Sequence, residues 1–243
     1  MKNKIETNKD TGDSIVADNA SWTFSGDVAK HFDNHVNKSV PFYKEGHDLI
    51  AKLSDFYLDA DSICYELGCS TGKLCKTLAE RHINKAINII GIDKEKGMIV
   101  EANNRCQNNS NVKIINSDLL EMEYNNCDMI ISYYTIQFIA TKHRQKLFDQ
   151  IYQALNWGGA FVLFEKVRAS DPRFQDMMTG IYIDYKLEQG YTSDEIIAKS
   201  RSLKGILEPF SSQGNIDLLK RAGFQDIMTV FKYVCFEGFL CIK

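Results

Sequence analysis

Ile63-Cys64-Tyr65-Glu66-Leu67-Gly68-Cys69-Ser70-Thr71-Gly72 is a short apolar run that ends on a carboxylate and then turns between two glycines. Lys73 to His82 follow with the pattern of a helix. Strand, glycine turn, helix is the order in which α/β proteins bring backbone close to a nucleotide-like ligand. Glycine lets the chain approach without a side chain in the way, and Glu66 can accept hydrogen bonds from the ligand. The turn has neither the three-glycine spacing of dinucleotide binders nor the Gly-Lys-Ser/Thr of phosphate loops. Taken alone, such a turn occurs in many α/β proteins.

Its neighbours narrow the reading. Ile89-Ile90-Gly91-Ile92-Asp93 is a second buried strand ending in an acid, about 20 residues past the glycines, where a ribose-binding carboxylate belongs. A third strand, Val112 to Ile115, leads to Asp118. A fourth, Met129 to Tyr133, follows Asn125-Asn126-Cys127-Asp128. A fifth, Ala160 to Glu165, follows a helix from about Arg144 to Leu155 and a turn at Asn156-Trp157-Gly158-Gly159. Strands alternating with helices predict a parallel, doubly wound α/β sheet, and Glu66, Asp93 and Asp118 then lie along one crevice edge.

A length of 243 residues suits one large core with an inserted cap. The net charge of −3 implies no general affinity for nucleic acid, so none is expected as a direct partner. No apolar run is long enough to span a membrane, and Met1 to Asn19 is too polar and mixed in charge for a signal peptide. Residues 1–20 read as a mobile tail. Seven cysteines without a C-x-x-C pair read as reduced core thiols of a cytoplasmic protein. The five histidines lack metal-ligand spacing, so no metal is expected; His47 could face the active site but reads first as a surface or capping residue.

The ordered set of motifs resembles the class I S-adenosylmethionine-dependent methyltransferases over about residues 60 to 243. The resemblance implies a Rossmann-like seven-stranded sheet, S-adenosyl-L-methionine as cofactor and S-adenosyl-L-homocysteine as product. It also implies that Glu66, Gly68, Cys69 and Ser70 face the methionine part, and that Asp93, with Lys94 beside it, holds the ribose hydroxyls. Asp118 meets the adenine amine, with Leu119 next to it. Ala222-Gly223-Phe224, Ile227 to Phe231 and Phe236 to Lys243 match the final helix and the antiparallel pair that closes the sheet edge. The same motifs would also suit a doubly wound fold holding another small ligand.

Outside these motifs, Trp22-Thr23-Phe24, Val28-Ala29, Phe32 and Ser39-Val40-Pro41-Phe42-Tyr43 look like the N-terminal arm of the carboxy-S-adenosylmethionine synthases, enzymes of transfer-RNA wobble-uridine modification. Thr135-Ile136-Gln137-Phe138, Gly190-Tyr191 and Glu195-Ile196 agree. The likeness implies a helical arm at 21–58, a main domain at 59–243, and a cofactor contact from Tyr43, which otherwise reads as a packed aromatic. A cap insertion, 168–213, carries apolar residues at helical spacing from Phe174 to Leu187, most of them expected in the core. A second helix is expected from about Ser193 to Leu207. The cap roofs the crevice and should set substrate choice.

Two chemistries stay open. Methyl transfer needs alignment of an acceptor and, for some acceptors, a base; carboxylating the methyl group needs a cation for the buried carboxylate. In the synthases that cation is an arginine at the position of Ser200, between Lys199 and Arg201, and an asparagine contacts the cofactor where this chain has Tyr133. Both departures favour methyl transfer to a small-molecule acceptor over carboxy-S-adenosylmethionine synthesis from prephenate. A third reading is a non-catalytic S-adenosylmethionine-binding protein. Tyr134, Glu165 and Arg201 are candidate catalytic or acceptor-contacting residues, Glu165 facing the crevice mouth beside Lys166; each also reads as an ordinary surface or packing residue. Relatives of this kind often form dimers through arm and cap, so a homodimer is possible here.

Overall fold

The computed structural model describes residues 9–13, 15–26 and 28–243. Among them are seven strands in one sheet: β1 (Ile63–Leu67), β2 (Asn88–Asp93), β3 (Val112–Asn116), β4 (Cys127–Tyr133), β5 (Leu155–Lys166), β6 (Asp226–Tyr233) and β7 (Phe236–Ile242). Their order is β3-β2-β1-β4-β5-β7-β6, with β1 to β5 parallel and β7 antiparallel to both neighbours. The chain winds outward from β1 to β3 and then returns to β4. Cys64 of β1 therefore pairs with Ile89 on one side and Met129 on the other. That reversal opens a crevice at the carboxyl ends of β1 and β4, where doubly wound sheets bind ligands.

Side chains alternate across the strands, so the sheet buries two apolar faces. On one, Met129, Ile131, Val162 and Phe164 meet α2 (Tyr43–Ser54), α3 (Lys73–Arg81) and α4 (Lys96–Cys106). On the other, Ile130, Phe161, Leu163 and Phe239 meet α5 (Thr141–Ala154) and α8 (Ser212–Ala222). Each fully buried Leu, Ile or Phe here contributes roughly 1.5–3 kcal/mol relative to exposure. β5 begins at Leu155, directly after α5. The expected turn at 156–159 is instead accommodated within the strand, through a register shift between the Cys127 and Met129 pairs.

Cap and arm lie over the crevice. α6 (Pro172–Glu188) starts with Pro172 at its first turn and Asp171 accepting from the Arg173 N–H. α7 (Ser193–Ser202) opens with a reciprocal capping box between Thr192 and Glu195. It stops at Ser202, short of the expected Leu207, and the chain then passes through a left-handed Gly205, φ 72°. The apolar side chains of α6 divide: Met178 and Tyr182 pack against the core, whereas Phe174, Met177, Ile181 and Leu187 are exposed, contrary to a mostly buried cap.

The arm helix α1 (Val28–Ser39) is tied to the turn after β1 and to α4 by Asp33, which accepts from Thr71 Oγ1 at 2.7 Å and pairs with Arg105 at 2.7 Å. Of the tail expected to be mobile, residues 1–8 and 14 lie outside the described residues. Its described part packs on the arm: Ile15 is buried with Trp22, Val28, Ala29 and Met98, and Asp10 bridges to Val16. All seven cysteines are free and buried. Among the described residues no helix is long and apolar enough to cross a membrane.

Candidate active site

The glycine turn after β1 is shaped by its backbone. Gly68 sits at φ 75° and its N–H donates to the Ile92 carbonyl at 2.8 Å, as does that of Cys69 at 2.9 Å. A Cβ at Gly68 would lie 2.4 Å from Thr135 Cγ2, so glycine is demanded by both conformation and space. Ser70, also left-handed, donates its N–H to Asp93 Oδ2 at 3.0 Å, and Glu95 donates to Oδ1 at 2.9 Å. The end of β2 is thereby locked to the turn after β1. Burial raises the Asp93 pKa, opposed by these two backbone donors.

Gly68, Ser70, Asp93, Lys94, Asp118 and Leu119 line one end of a cavity of about 960 Å³ that runs from β3 past the end of β1 and under the cap. Asp118 is exposed at its edge, with Oδ1 accepting from the Leu120 N–H at 2.9 Å, while Leu119 is buried. Glu66 and Cys69 lie instead in a small adjoining recess, which Tyr43 and His47 also line. There Cys75 Sγ donates to Glu66 Oε2 at 2.8 Å, and burial pushes the Glu66 carboxyl up to about 8.

Tyr43 and Tyr133 meet where recess and cavity join. Tyr133 Oη donates to the Tyr43 carbonyl at 2.8 Å, and their rings pack with centroids 4.9 Å apart. The phenol of Tyr133 fits because residue 46 is glycine: a Cβ there would stand 2.0 Å from Tyr133 Oη. His47, expected at the surface, is buried against both tyrosines, and burial lowers its pKa to about 3. Tyr134, left-handed at φ 59°, lines the cavity and packs on Phe164 and Phe236.

Glu165 requires a correction, because it does not face the crevice mouth. It shares the sheet face of Phe161 and Leu163, is buried, accepts the Gln137 N–H at 3.2 Å and has its pKa pushed up to about 8 by burial. Its neighbour Lys166 points into the cavity. Ser200 and Arg201 are both exposed and both line it, so the residue one place beyond the expected arginine position also reaches the site.

Several cavity residues gave no local signal. Lys186 and Lys199 come from the two cap helices, and Lys199 Nζ lies 3.0 Å from His35 Nε2. His35 Nδ1 lies 2.9 Å from Asp13 Oδ2, which also accepts from Tyr191 Oη at 2.8 Å. These residues lie up to 178 positions apart in sequence and only the folded arm and cap bring them together. Among the described residues no three His, Cys, Asp or Glu side chains group to hold a metal ion.

The donor set fits an adenosyl cofactor. Two carboxylates stand at the ends of adjacent strands, an apolar Leu119 lies beside the second, and a side-chain-free turn lies beyond. Asp93 and Lys94 would hold the ribose, Asp118 and Leu119 the adenine, and Gly68 with Ser70 and Tyr43 the amino-acid part. When bound, the cofactor would supply an electrophilic methyl group on a positively charged sulfur.

Residues 65–159 match a family model described as a methyltransferase domain. The chain is 40% identical to a carboxy-S-adenosyl-L-methionine synthase of Staphylococcus epidermidis, over 91% of this chain and 97% of that one. It is 39% identical to the enzyme of the same name from Nautilia profundicola, over 91% and 94%. Among solved structures, human N-acetylserotonin methyltransferase in complex with SAM superposes with a TM-score of 0.54 at 17% identity, covering 83% of this chain and 55% of that one. That likeness concerns the fold.

Proposed function

The chain belongs to the carboxy-S-adenosyl-L-methionine synthase family of class I methyltransferase-fold enzymes, and from that premise we propose that it moves the methyl group of S-adenosylmethionine to a small-molecule acceptor. The chain is an S-adenosylmethionine-dependent transferase, and the observation that carries the choice of reaction is the pair of residues at the reacting end. The synthases carry an arginine at the position of Ser200 and a cofactor-contacting asparagine at that of Tyr133, and both residues line the cavity here. Neither supplies a cation, and the cations that do line the cavity, Arg201 and Lys199 on either side of Ser200 and Lys166 at the end of β5, stand at other positions than that arginine. Tyr134 and Arg201 line the acceptor side, and the cap and arm exclude water while the acceptor is aligned. Glu165, buried on the opposite face, positions the turn at Gln137 and takes no proton from an acceptor.

The experiment is a survey of acceptors with the purified protein, read as S-adenosylhomocysteine by mass spectrometry. Its release only when an acceptor is present supports the proposal; failure with every acceptor, despite cofactor binding, overturns it in favour of a non-catalytic binding protein. The relatives' names favour a second reading, synthesis of carboxy-S-adenosylmethionine. Incubation with S-adenosylmethionine and prephenate would then yield a cofactor heavier by the mass of carbon dioxide. We also place the protein in the cytoplasm, which seven unpaired buried thiols suit, and as a homodimer acting without direct nucleic-acid or membrane partners.

A further inference from the structure

Three tyrosine rings close on the junction of cavity and recess. The ring centres of Tyr43 and Tyr133 lie 4.9 Å apart, those of Tyr133 and Tyr134 4.7 Å, and Tyr43 stacks with Tyr134 at 6.4 Å. His47 and Phe164 back the cluster, with ring centres 4.7 and 5.0 Å from that of Tyr133. Two features of the chain go into this arrangement. Tyr134 keeps a left-handed backbone at φ 59°, an unfavourable conformation for an aromatic residue. Tyr133 stands where the synthases carry an asparagine. Gly46 leaves the space for its phenol, which donates to the Tyr43 carbonyl at 2.8 Å.

The same junction lies beside the glycine turn, because Thr135, next after Tyr134, is what a Cβ at Gly68 would strike at 2.4 Å. A cofactor whose ribose rests on Asp93 and whose amino-acid part rests on Gly68, Ser70 and Tyr43 carries its sulfur between the two, and so to the tyrosines. That sulfur is a cation with little to balance it. Of the acids lining cavity and recess, Asp93, Glu95 and Asp118 belong to the β2 and β3 end. Asp33 is paired with Arg105, and Glu66, pushed up to about 8 by burial, keeps its proton at neutral pH. His47, lowered to about 3 by burial, is uncharged. Lys73 lines the recess and Lys166 the cavity, both of the sulfonium's own sign. An unbalanced cation is expensive to bury, and the electron-rich faces of aromatic rings are what remains to hold it.

We propose that Tyr43, Tyr133 and Tyr134 form an aromatic box for the sulfonium, which selects the charged cofactor over its neutral product S-adenosylhomocysteine. The inference rests on the cofactor placement above. Ring faces attract a cation and gain no such attraction from a thioether, so the box loosens its hold once the methyl group has left. An asparagine at position 133 would replace one wall by an amide, so the box is a feature of this chain's own residues.

Calorimetry with the full-length protein tests this, with S-adenosylmethionine and S-adenosylhomocysteine titrated separately and no acceptor present. Wild type should bind the sulfonium about tenfold or more tighter than the thioether. Tyr133→Leu and Tyr134→Leu should each cut that ratio about threefold or more while still binding S-adenosylhomocysteine, which shows that they are folded. Tyr133→Phe, which keeps the ring, should keep the ratio. An equal or inverted preference in wild type, or leucine variants with the full ratio, would overturn the box. So would a ratio abolished by Glu66→Gln, because a carboxylate would then be the counter-charge. Should Tyr133→Leu fail to fold, Tyr134→Leu and the wild-type ratio decide. Failure of wild type to bind S-adenosylhomocysteine at all would instead refute the cofactor placement.

Discussion

At the scale of single residues, the site depends on backbone shape more than on reactive side chains. Gly68→Ala places a methyl group 2.4 Å from Thr135 at a left-handed position, so cofactor binding should be lost in calorimetry while the far-ultraviolet circular dichroism persists. Asp93→Ala removes the acceptor shared by Ser70 and Glu95 and, on the proposed placement, by the ribose. It should weaken cofactor affinity by about 1.5–3 kcal/mol; near-normal affinity would contradict the placement of the ribose. Glu165 offers a test through pH. Its folded pKa of about 8 lies above the ordinary 4.5, so its contribution to stability is complete below about 4.5 and is lost as pH rises through 8. Glu165→Gln carries no such proton. Its melting temperature should therefore gain on wild type steadily as pH rises through that window, and parallel curves would show that Glu165 is not the group responsible.

At the scale of elements, what could be read from the sequence was what repeats locally. The apolar runs of β1 to β5, the glycine turn and the acids at Asp93 and Asp118 follow from period and punctuation within about ten residues. Arm and cap contacts do not. The charge on Asp13 meets His35 and Tyr191 only after three separate segments fold together, and Glu165 and Lys166 look alike in sequence until the pleat sends one to each face. The exposure of Phe174, Met177 and Ile181 was likewise hidden, because helical spacing identifies an apolar face without naming what covers it. The α2–β4 contact shows how one such long-range fit can be tested. Gly46→Ala drives a methyl group into Tyr133 and should cost about 1–3 kcal/mol in denaturant unfolding, as overpacking does. In a Tyr133→Ala background, itself destabilised by the lost ring, the same Gly46→Ala change should cost little. Purely additive effects would show that the two positions do not share the space.

At the scale of the whole molecule, the outer side of the cap is too apolar to be finished. Phe174, Met177 and Ile181 are each more than half exposed along α6, and Leu187 adds to them. Monomeric proteins rarely leave so many large apolar side chains on neighbouring helical turns in contact with water. Gly180 lies among them with nothing within 4 Å of where its Cβ would be, so another backbone can approach closely there. A second copy pairing through this face would cover the same residues on both chains, as twofold symmetry requires. It would also brace the roof of the cavity, because Met178, Tyr182 and Lys186 on the inner side of α6 face the site. Sedimentation velocity at micromolar concentration should therefore give twice the 27.7 kDa chain mass. Ile181→Asp should halve the observed mass with an unchanged circular dichroism spectrum, and, on the proposed placement of the cofactor on β1 to β3 and the acceptor under the cap, it should weaken acceptor binding more than cofactor binding. A wild-type protein that sediments as a single chain would mean that this face is covered by something other than its own copy.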